Sequence, residues 1–152
     1  MIRDEFHSPI GTLHLFAEEE YLTKLEFAAE TSGRHSSLPV LELARGQLQE
    51  YFNGERSRFD LPIKPAGTGF QQRVWEALSD IPMGKTVTYR QLSDALGNPN
   101  SVRAVGRANG QNPIPIIIPC HRVIGAGGTL VGYSGGIERK KWLLQHEGAL
   151  LI

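Results

Sequence analysis

The stretch that decides the fold of this chain is residues 114–123, I-P-I-I-I-P-C-H-R-V, which contain Cys120, the single cysteine of the sequence. The isoleucine triplet at 116–118 is apolar and β-branched, which predicts a short buried strand. Pro119 lacks a backbone donor and restricts its own φ, so the strand is expected to end there. The thiol of Cys120 is therefore expected just beyond the end of a buried strand.

Two basic residues, His121 and Arg122, follow the thiol directly. Positive neighbours lower the pKa of a thiol, so this pattern favours a reactive nucleophile over the inert buried cysteine that an isolated Cys more often is. Adjacent side chains of an extended chain point to opposite faces, so His121 reaches Cys120 only if the backbone turns, or else through a bridging water. Glu147, at the end of the last predicted helix, is the candidate to orient His121. The alternative is a solvated helix-end carboxylate.

The composition is typical of a soluble globular protein, with 152 residues, 40% hydrophobic and 21% charged. No stretch of the sequence approaches a membrane-spanning length, and the N-terminus lacks the apolar segment of a signal peptide, so we expect no membrane partner. A single cysteine forms no internal disulfide, which favours a reducing, cytoplasmic location. His7, His14 and His35 show no ligand spacing, and we predict neither zinc nor any other metal.

The net charge of zero hides an asymmetry between the two halves. Residues 1–65 contain 7 Lys/Arg and 11 Asp/Glu, a net charge of 7 − 11 = −4. Residues 66–152 contain 9 Lys/Arg and 5 Asp/Glu, a net charge of 9 − 5 = +4. The C-terminal half is therefore the better candidate to bind a polyanion.

The first half predicts a small α/β (α+β) domain over residues 1–65. Alternating patterns predict strands over 12–17 and 21–28, helical spacing predicts a helix from Val40 to Phe52, and residues 56–63 are expected to form an edge strand. The Pro- and Gly-rich segment 64–69 is typical of a linker. Residues 66–152 then form a second, mostly helical domain.

Two capping patterns, at Thr68 and Thr88, predict helices in the second half. The helix from Thr88 and a further one from Ser101 are joined by a tight turn, which fits a helix-turn-helix or an ordinary helical hairpin equally well. In the second of these helices Ala104 and Gly106 are small, while Arg103 and Arg107 are its only long side chains. This favours phosphate contacts and a minor groove over base-edge readout, although small residues also serve close helix packing.

The segments after the thiol are predicted to be a glycine-rich loop around a β-hairpin, residues 125–136, and a last helix, residues 137–147. The first lacks the Lys-Ser/Thr of a Walker phosphate loop. Its glycines are expected to let the backbone approach a flat ligand, with Tyr133 and Ser134 offering stacking and hydrogen bonds.

Five segments together resemble one known family. They are F-Q-Q-R-V-W-E-A-L-S-D-I-P-M-G-K-T-V-T-Y (70–89), R-A-V-G-R-A-N-G-Q-N-P (103–113), I-P-C-H-R-V-I-G (118–125), G-T-L-V-G-Y-S-G-G (128–136) and K-W-L-L-Q-H-E (141–147). They resemble the O6-alkylguanine–DNA alkyltransferases, also called methylated-DNA–protein-cysteine methyltransferases. The resemblance implies an N-terminal RNase H-like domain, then a helical domain with a helix-turn-helix. It also implies no cofactor and a monomer bound to the minor groove of alkylated double-stranded DNA.

The resemblance assigns the chemistry to four residues. Cys120 matches the acceptor of an alkyl group from O6 of guanine, and from O4 of thymine, in a single irreversible transfer. His121 matches the imidazole that acts on the thiol through water, and Glu147 the carboxylate behind it. Tyr89 matches the residue that crowds the phosphate during base flipping and donates a proton toward the leaving guanine.

It also assigns residues to DNA and substrate binding. Arg103 matches the finger that fills the space left by the flipped base, and Asn112 the hinge between the DNA-binding helix and the active strand. Val123, through its carbonyl, and Ser134 match contacts to the guanine edge, while Tyr133 lines the pocket. Two alternative functions are compatible with the sequence. One is a multiple-turnover hydrolase with a Cys-His-Glu triad, and the other is a lesion sensor that flips a base without transfer.

Overall fold

The structure of the protein, a computed structural model, describes residues 1–29, 31–33 and 35–150. Its internal contacts divide the chain into two units, Met1–Ala66 and Gly67–Ile152, of which Leu151 and Ile152 lie outside the described residues. In the ranges described, no helix combines the length and the apolar character that crossing a membrane requires.

In its described residues, the first unit combines a three-stranded sheet with one helix. Strands β1 (Ile2–Ser8), β2 (Gly11–Glu18) and β3 (Tyr21–Ala28) form an antiparallel meander in chain order, and helix α1 (Pro39–Phe52) contacts all three. Alternation along β2 buries Leu13, Leu15 and Ala17, while helical spacing along α1 buries Leu41, Ala44 and Leu48. These apolar side chains form the core of the predicted α+β unit.

Strand β1 was not predicted, because two of its buried residues carry charge. Asp4 and Glu5 are almost fully buried. A guanidinium nitrogen of Arg45 lies 2.6 Å from the Asp4 carboxylate, and Ser32 donates to Glu5 from both its backbone amide and its hydroxyl. Buried carboxylates with such partners are compatible with a strand, but the partners are distant in sequence.

The predicted edge strand at residues 56–63 is wrong. The segment forms only an isolated parallel bridge between Leu22 and Ile63. The side chain of Gln47 instead takes both backbone groups of Asp60, with its Oε1 accepting from the amide over 2.8 Å and its Nε2 donating to the carbonyl over 2.7 Å. Backbone groups bonded to a side chain are not available to a strand ladder.

Over residues 67–150, the second unit contains four α-helices: α2 (Gly69–Ser79), α3 (Tyr89–Ala95), α4 (Val102–Gly110) and α5 (Ile137–His146). The predicted capping boxes are confirmed at Thr68 and Thr88. In each, the threonine hydroxyl accepts from the third helical amide, and the glutamine side chain at that third position accepts from the threonine amide. Helices α3 and α4 pack together as the predicted helix-turn-helix. Helix α5 ends one residue before the prediction, with Glu147 as its C-cap.

Two short strands, β4 (Val87–Thr88) and β5 (Val123–Ile124), connect the helix-turn-helix to the cysteine segment. They pair in parallel, with Val87 opposite Val123, so the start of α3 lies beside the residues that follow Cys120. The predicted β-hairpin over 125–136 is wrong, because β5 pairs with β4. Residues 125–136 contain a 3-10 turn at Ala126–Gly128 and a tight turn at 134–135, and no strand.

The predicted strand at residues 116–118 is also wrong. Residues 114–118 form a tight turn, with the Ile118 amide donating to the Ile114 carbonyl over 2.9 Å and Ile116 at a φ of 75°. The three isoleucines are buried as expected. Prolines at 113, 115 and 119 remove three backbone donors, so this segment has too few to form a continuous ladder.

Candidate active site

Cys120 begins a short 3-10 turn, Cys120–Arg122, directly after Pro119. In such a turn successive side chains are about 120° apart, not opposite as in a strand. The backbone turn required for His121 to approach Cys120 is therefore present. The cysteine is buried, and its amide donates to the Ile118 carbonyl over 2.8 Å.

The Asn112 side chain holds the turn that precedes Cys120. Its Nδ2 donates to the Ile118 carbonyl over 2.7 Å, and its Oδ1 accepts from the Ile114 amide over 2.9 Å. Asn112 follows α4 and is buried. One amide thus closes the 114–118 turn and joins the end of α4 to the segment that carries the thiol.

His121, Arg122 and Glu147 form one buried hydrogen-bond network. The His121 Nε2 lies 2.7 Å from the Glu147 Oε2. Arg122 donates to both carboxylate oxygens, from Nε over 2.8 Å and from Nη2 over 3.0 Å, and its Nη1 donates to the Ile81 carbonyl over 2.6 Å. The C-cap position of Glu147 on α5 brings its carboxylate to the cysteine turn.

The protonation states follow from this network. Burial alone would raise the pKa of Glu147, but hydrogen bonds from His121 and Arg122 lower it to about 2. Burial lowers the pKa of His121, although Glu147 opposes this. At neutral pH Glu147 is therefore a carboxylate that only accepts, and the neutral imidazole carries its proton on Nε2. The His121 Nδ1 is unprotonated and buried, and has no hydrogen-bond partner among the described residues.

The thiol itself is not activated in the way the sequence suggested. Burial raises the pKa of Cys120 to about 11, against smaller lowering effects of the Asn112 side chain and of Lys140. The expected lowering by His121 and Arg122 is wrong, because the guanidinium is bound to Glu147 and the imidazole is neutral. The resting thiol is protonated, so the reaction needs a base.

Lys140 is a site residue that the sequence reasoning missed. Its side chain is fully buried, and its Nζ donates to the carbonyls of Val123 over 2.6 Å and Val131 over 2.8 Å. Burial lowers its pKa to about 8, while Cys120 acts in the opposite direction. The signal was available in the helical spacing, since Lys140 lies three and four residues before the buried Leu143 and Leu144.

Two tyrosines lie near the sulfur. The Tyr89 hydroxyl, at the start of α3, donates to the Val131 carbonyl over 3.2 Å. The Tyr133 ring is buried and meets the His121 ring edge-on, with centroids 6.5 Å apart. Burial is the main cause that raises the pKa of both phenols, and the negative charge that Cys120 carries when ionised raises it further. Both phenols therefore remain protonated at neutral pH. Ser134 is exposed beside them.

The helix-turn-helix presents a basic groove of about 560 Å³, lined by Arg90, Pro99, Asn100, Ser101, Val102, Arg103, Ala104 and Arg107. Arg103 and Arg107 are exposed on α4, and Ala104 lies between them. Gly106 faces the Tyr89 ring, where an added Cβ would lie 3.5 Å from a ring carbon. The Ala108 carbonyl accepts from the Trp75 indole over 2.9 Å. The small residues of α4 therefore serve both the groove and helix packing.

Two family models divide the chain between them. The "6-O-methylguanine DNA methyltransferase, ribonuclease-like domain" matches residues 1–65, and the "6-O-methylguanine DNA methyltransferase, DNA binding domain" matches residues 69–149. The first match agrees with the predicted RNase H-like unit, and the second contains the thiol, its hydrogen-bonded neighbours and the helix-turn-helix.

Named relatives align with most or all of this chain. A methylated-DNA–protein-cysteine methyltransferase of Shigella flexneri is 40% identical, with 100% of this chain and 98% of the relative covered. That of Mycobacterium bovis is 49% identical over 92% and 88%. The crystal structure of Mycobacterium tuberculosis OGT in complex with DNA superposes with a TM-score of 0.88 at 47% identity, covering 97% of this chain and 92% of that one. On these matches, the chain belongs to the O6-methylguanine DNA methyltransferase family.

Proposed function

We propose that this protein repairs DNA by transferring an alkyl group from O6 of guanine to the Cys120 sulfur, once per molecule. The observation that supports the proposal most directly is the buried thiol of Cys120, followed by His121, whose neutral imidazole is hydrogen-bonded to the ionised carboxylate of Glu147. As a member of this family the protein is a methylated-DNA–protein-cysteine methyltransferase, and DNA is its partner.

The acceptor that we propose for the thiol proton is His121. The Nδ1 of His121 is unprotonated, while Nε2 is held by Glu147. We expect Nδ1 to take the proton of Cys120 through a bridging water as the thiolate forms. Glu147 stabilises the resulting imidazolium, and Lys140 supplies a positive charge near the thiolate.

The transfer itself exchanges one bond for another. The thiolate forms an S–C bond to the alkyl carbon, and the C–O6 bond breaks with its electron pair staying on guanine. The guanine takes up a proton from the Tyr89 hydroxyl. The tyrosinate left behind is reprotonated through solvent by the proton that Cys120 passed to His121, so the net change is the exchange of the thiol proton for the alkyl group. The products are S-alkylcysteine and guanine. Nothing in this scheme restores the thiol, and O4-alkylthymine would react in the same way.

DNA is proposed to bind at the groove of the helix-turn-helix through its minor groove. Ala104 and Gly106 let α4 approach closely, Arg107 contacts phosphates, and Arg103 occupies the space of the flipped nucleotide. Flipping is required because a stacked base cannot reach a buried sulfur. Asn112 follows α4 directly, and its side chain bonds to both ends of the 114–118 turn that precedes Cys120, which supports its proposed role as the hinge.

The substrate pocket is proposed to lie between β5 and the glycine-rich loop. Tyr133 would line it, and Ser134 and the Val123 carbonyl would contact the guanine edge. In the free protein that carbonyl accepts from Lys140, and a carbonyl oxygen has a second lone pair for an incoming donor.

We further propose a cytoplasmic monomer without a cofactor or metal, with a domain of residues 1–65 and a transfer domain of residues 66–152. The cytoplasmic location follows from the chemistry, because the acceptor thiol must stay reduced.

The test is mass spectrometry after mixing with a duplex that contains one O6-methylguanine. A gain of one methyl group at Cys120, in a yield that never exceeds one per protein, supports the proposal. A Cys120→Ser variant is the matched control and should bind the duplex without gaining mass. Multiple turnovers would indicate the hydrolase, and binding of the wild type without any mass change would indicate the lesion sensor.

A further inference from the structure

We propose that Arg122 is a positioning residue for the transfer reaction, whose double hydrogen bond to Glu147 keeps His121 neutral and its Nδ1 free to accept the thiol proton. This inference rests on the proposed function, because it concerns the base of that reaction. It adds a residue that no step of the mechanism above requires.

The first support is the geometry of the shared carboxylate. Arg122 contacts Oε1 and Oε2 of Glu147 over 2.8 and 3.0 Å, while His121 contacts Oε2 over 2.7 Å. One oxygen therefore has two donors. The planar guanidinium fixes the plane of the carboxylate, and the carboxylate then fixes the direction of the Nε2–H bond.

The second support is the anchoring of the guanidinium itself. Its Nη1 donates to the Ile81 carbonyl over 2.6 Å, and the side chain is almost fully buried. All three nitrogens are used, so the guanidinium has one position. A fixed cation of this kind is preorganised, and it does not have to move when His121 takes up a proton.

The third support is the balance of charge around His121. The groups that face it are Glu147 and Lys140 from α5, Cys120 and Arg122 from the cysteine turn, and Tyr133 from the glycine-rich loop. Of these only Glu147 favours an imidazolium in the resting protein. Arg122 and Lys140 both disfavour it, and Arg122 also takes up hydrogen-bonding capacity of Glu147 that would otherwise serve His121 alone.

The loss of Arg122 should impair the transfer reaction mainly in acidic solution. Without Arg122, the carboxylate would pair with His121 only, and the imidazole would be protonated at a higher pH. A protonated His121 has no acceptor for the thiol proton. Arg122 should therefore extend transfer to lower pH, which a residue that merely stabilises the fold would not do.

The experiment uses reaction with free O6-benzylguanine, which needs no DNA, for the wild type, Arg122→Met and Arg122→Lys. The variant Arg73→Met, at an exposed position of α2, is the matched control. Arg122→Met should move the acid limb of the pH–rate profile up by about 1 pH unit. When each rate is divided by the plateau rate of the same protein, the variant should therefore be about tenfold slower than the wild type at a pH below both acid limbs. Arg122→Lys keeps the charge and should retain the wild-type acid limb, even if its plateau is lower.

The second readout is the 15N NMR signal of the His121 ring in the wild-type free protein, which needs neither a variant nor a reaction. We expect the Nε2–H tautomer to persist below pH 6.5, the ordinary pKa of the side chain. A doubly protonated His121 at neutral pH, or an Arg122→Met rate that falls equally at every pH, would overturn the inference. If wild-type protein instead shows the expected tautomer but no alkyl transfer, the proposed function fails and the role of Arg122 in the network stands.

Discussion

The ammonium group of Lys140 donates a hydrogen bond to the carbonyl of Val123 over 2.6 Å, and this fixes a buried cation beside the residues that follow Cys120. Its second hydrogen bond goes to the carbonyl of Val131, and within the described part of the chain it has no carboxylate partner. Burying a cation with neutral partners is costly. The thiolate of Cys120 is the anion that this cation stabilises when the reaction begins.

Replacing Lys140 by Met should therefore raise the pKa of the Cys120 thiol above its value of about 11. We expect transfer to free O6-benzylguanine at pH 7.5 to slow by about tenfold, equivalent to about one pKa unit. Lys141→Met is the matched control, because the neighbouring lysine is exposed. Thiolate absorbance at 240 nm, followed against pH, measures the shift. Equal effects of the two substitutions would contradict the assignment.

Replacing Asn112 by Ala should unfold the turn that precedes the thiol. The change removes two buried hydrogen bonds: the Ile114 amide loses its acceptor, while the Ile118 carbonyl keeps only the bond from the Cys120 amide. We expect a loss of about 3 kcal/mol in the free energy of unfolding, measured by urea titration. Asn100→Ala, at an exposed position, should change it by less than about 0.5 kcal/mol. A loss as small as the control's would mean that the prolines alone hold the turn.

The two exposed arginines of α4 should separate flipping from binding. Arg103→Ala should slow repair of a base in duplex DNA and leave reaction with free O6-alkylguanine unchanged, because only the duplex needs flipping. The defect should be smaller when the damaged base sits in a mismatch. Arg107→Ala should weaken binding and reduce the salt dependence, with a slope change of about 1 in log Kd against log salt. Equal losses on duplex and free base for Arg103→Ala would indicate a structural role.

Acid should unfold the protein partly through Glu147. Its pKa is about 2 in the folded protein and 4.5 ordinarily, so its contribution to stability is present above about pH 4.5 and is lost as the pH falls toward 2. Linkage puts this contribution at the order of 3 kcal/mol. Glu147→Gln should start less stable at pH 7 but lose less stability between pH 4.5 and 2, as followed by tryptophan fluorescence in urea. Glu138→Gln, at an exposed site, should follow the wild-type pH dependence; the same dependence in Glu147→Gln would contradict the prediction.

The helices of the second unit were predictable because their signals are local. The threonines at 68 and 88 each satisfy amides within three residues, and helical spacing identifies the buried face of α2 without reference to the rest of the chain. The two-unit order and the family were likewise readable from motifs, because these depend on residue types at fixed positions.

The strands were predicted less well, and the failures have a common cause. Residues 116–118 and 56–63 both have strand-like sequences. In the first segment the Asn112 side chain bonds to the Ile118 carbonyl and the nearby Ile114 amide, and in the second the Gln47 side chain bonds to the amide and carbonyl of Asp60. Strand β1 was hidden because its buried carboxylates find partners at Ser32 and Arg45. Sequence pattern measures preference for a pleated surface, whereas pairing is decided by distant donors and acceptors.

For this protein, the sequence by itself determined the residue types of the site, its single thiol and the basic second half, because these are properties of the chain and not of its conformation. Only the tertiary structure decided the ionisation of the site. It buried Cys120 and raised the pKa of the thiol, committed Arg122 to Glu147 and turned Lys140 inward. The physical reason is that a pKa depends on every charge and dipole within a few ångströms, and those neighbours come from residues far apart in the chain.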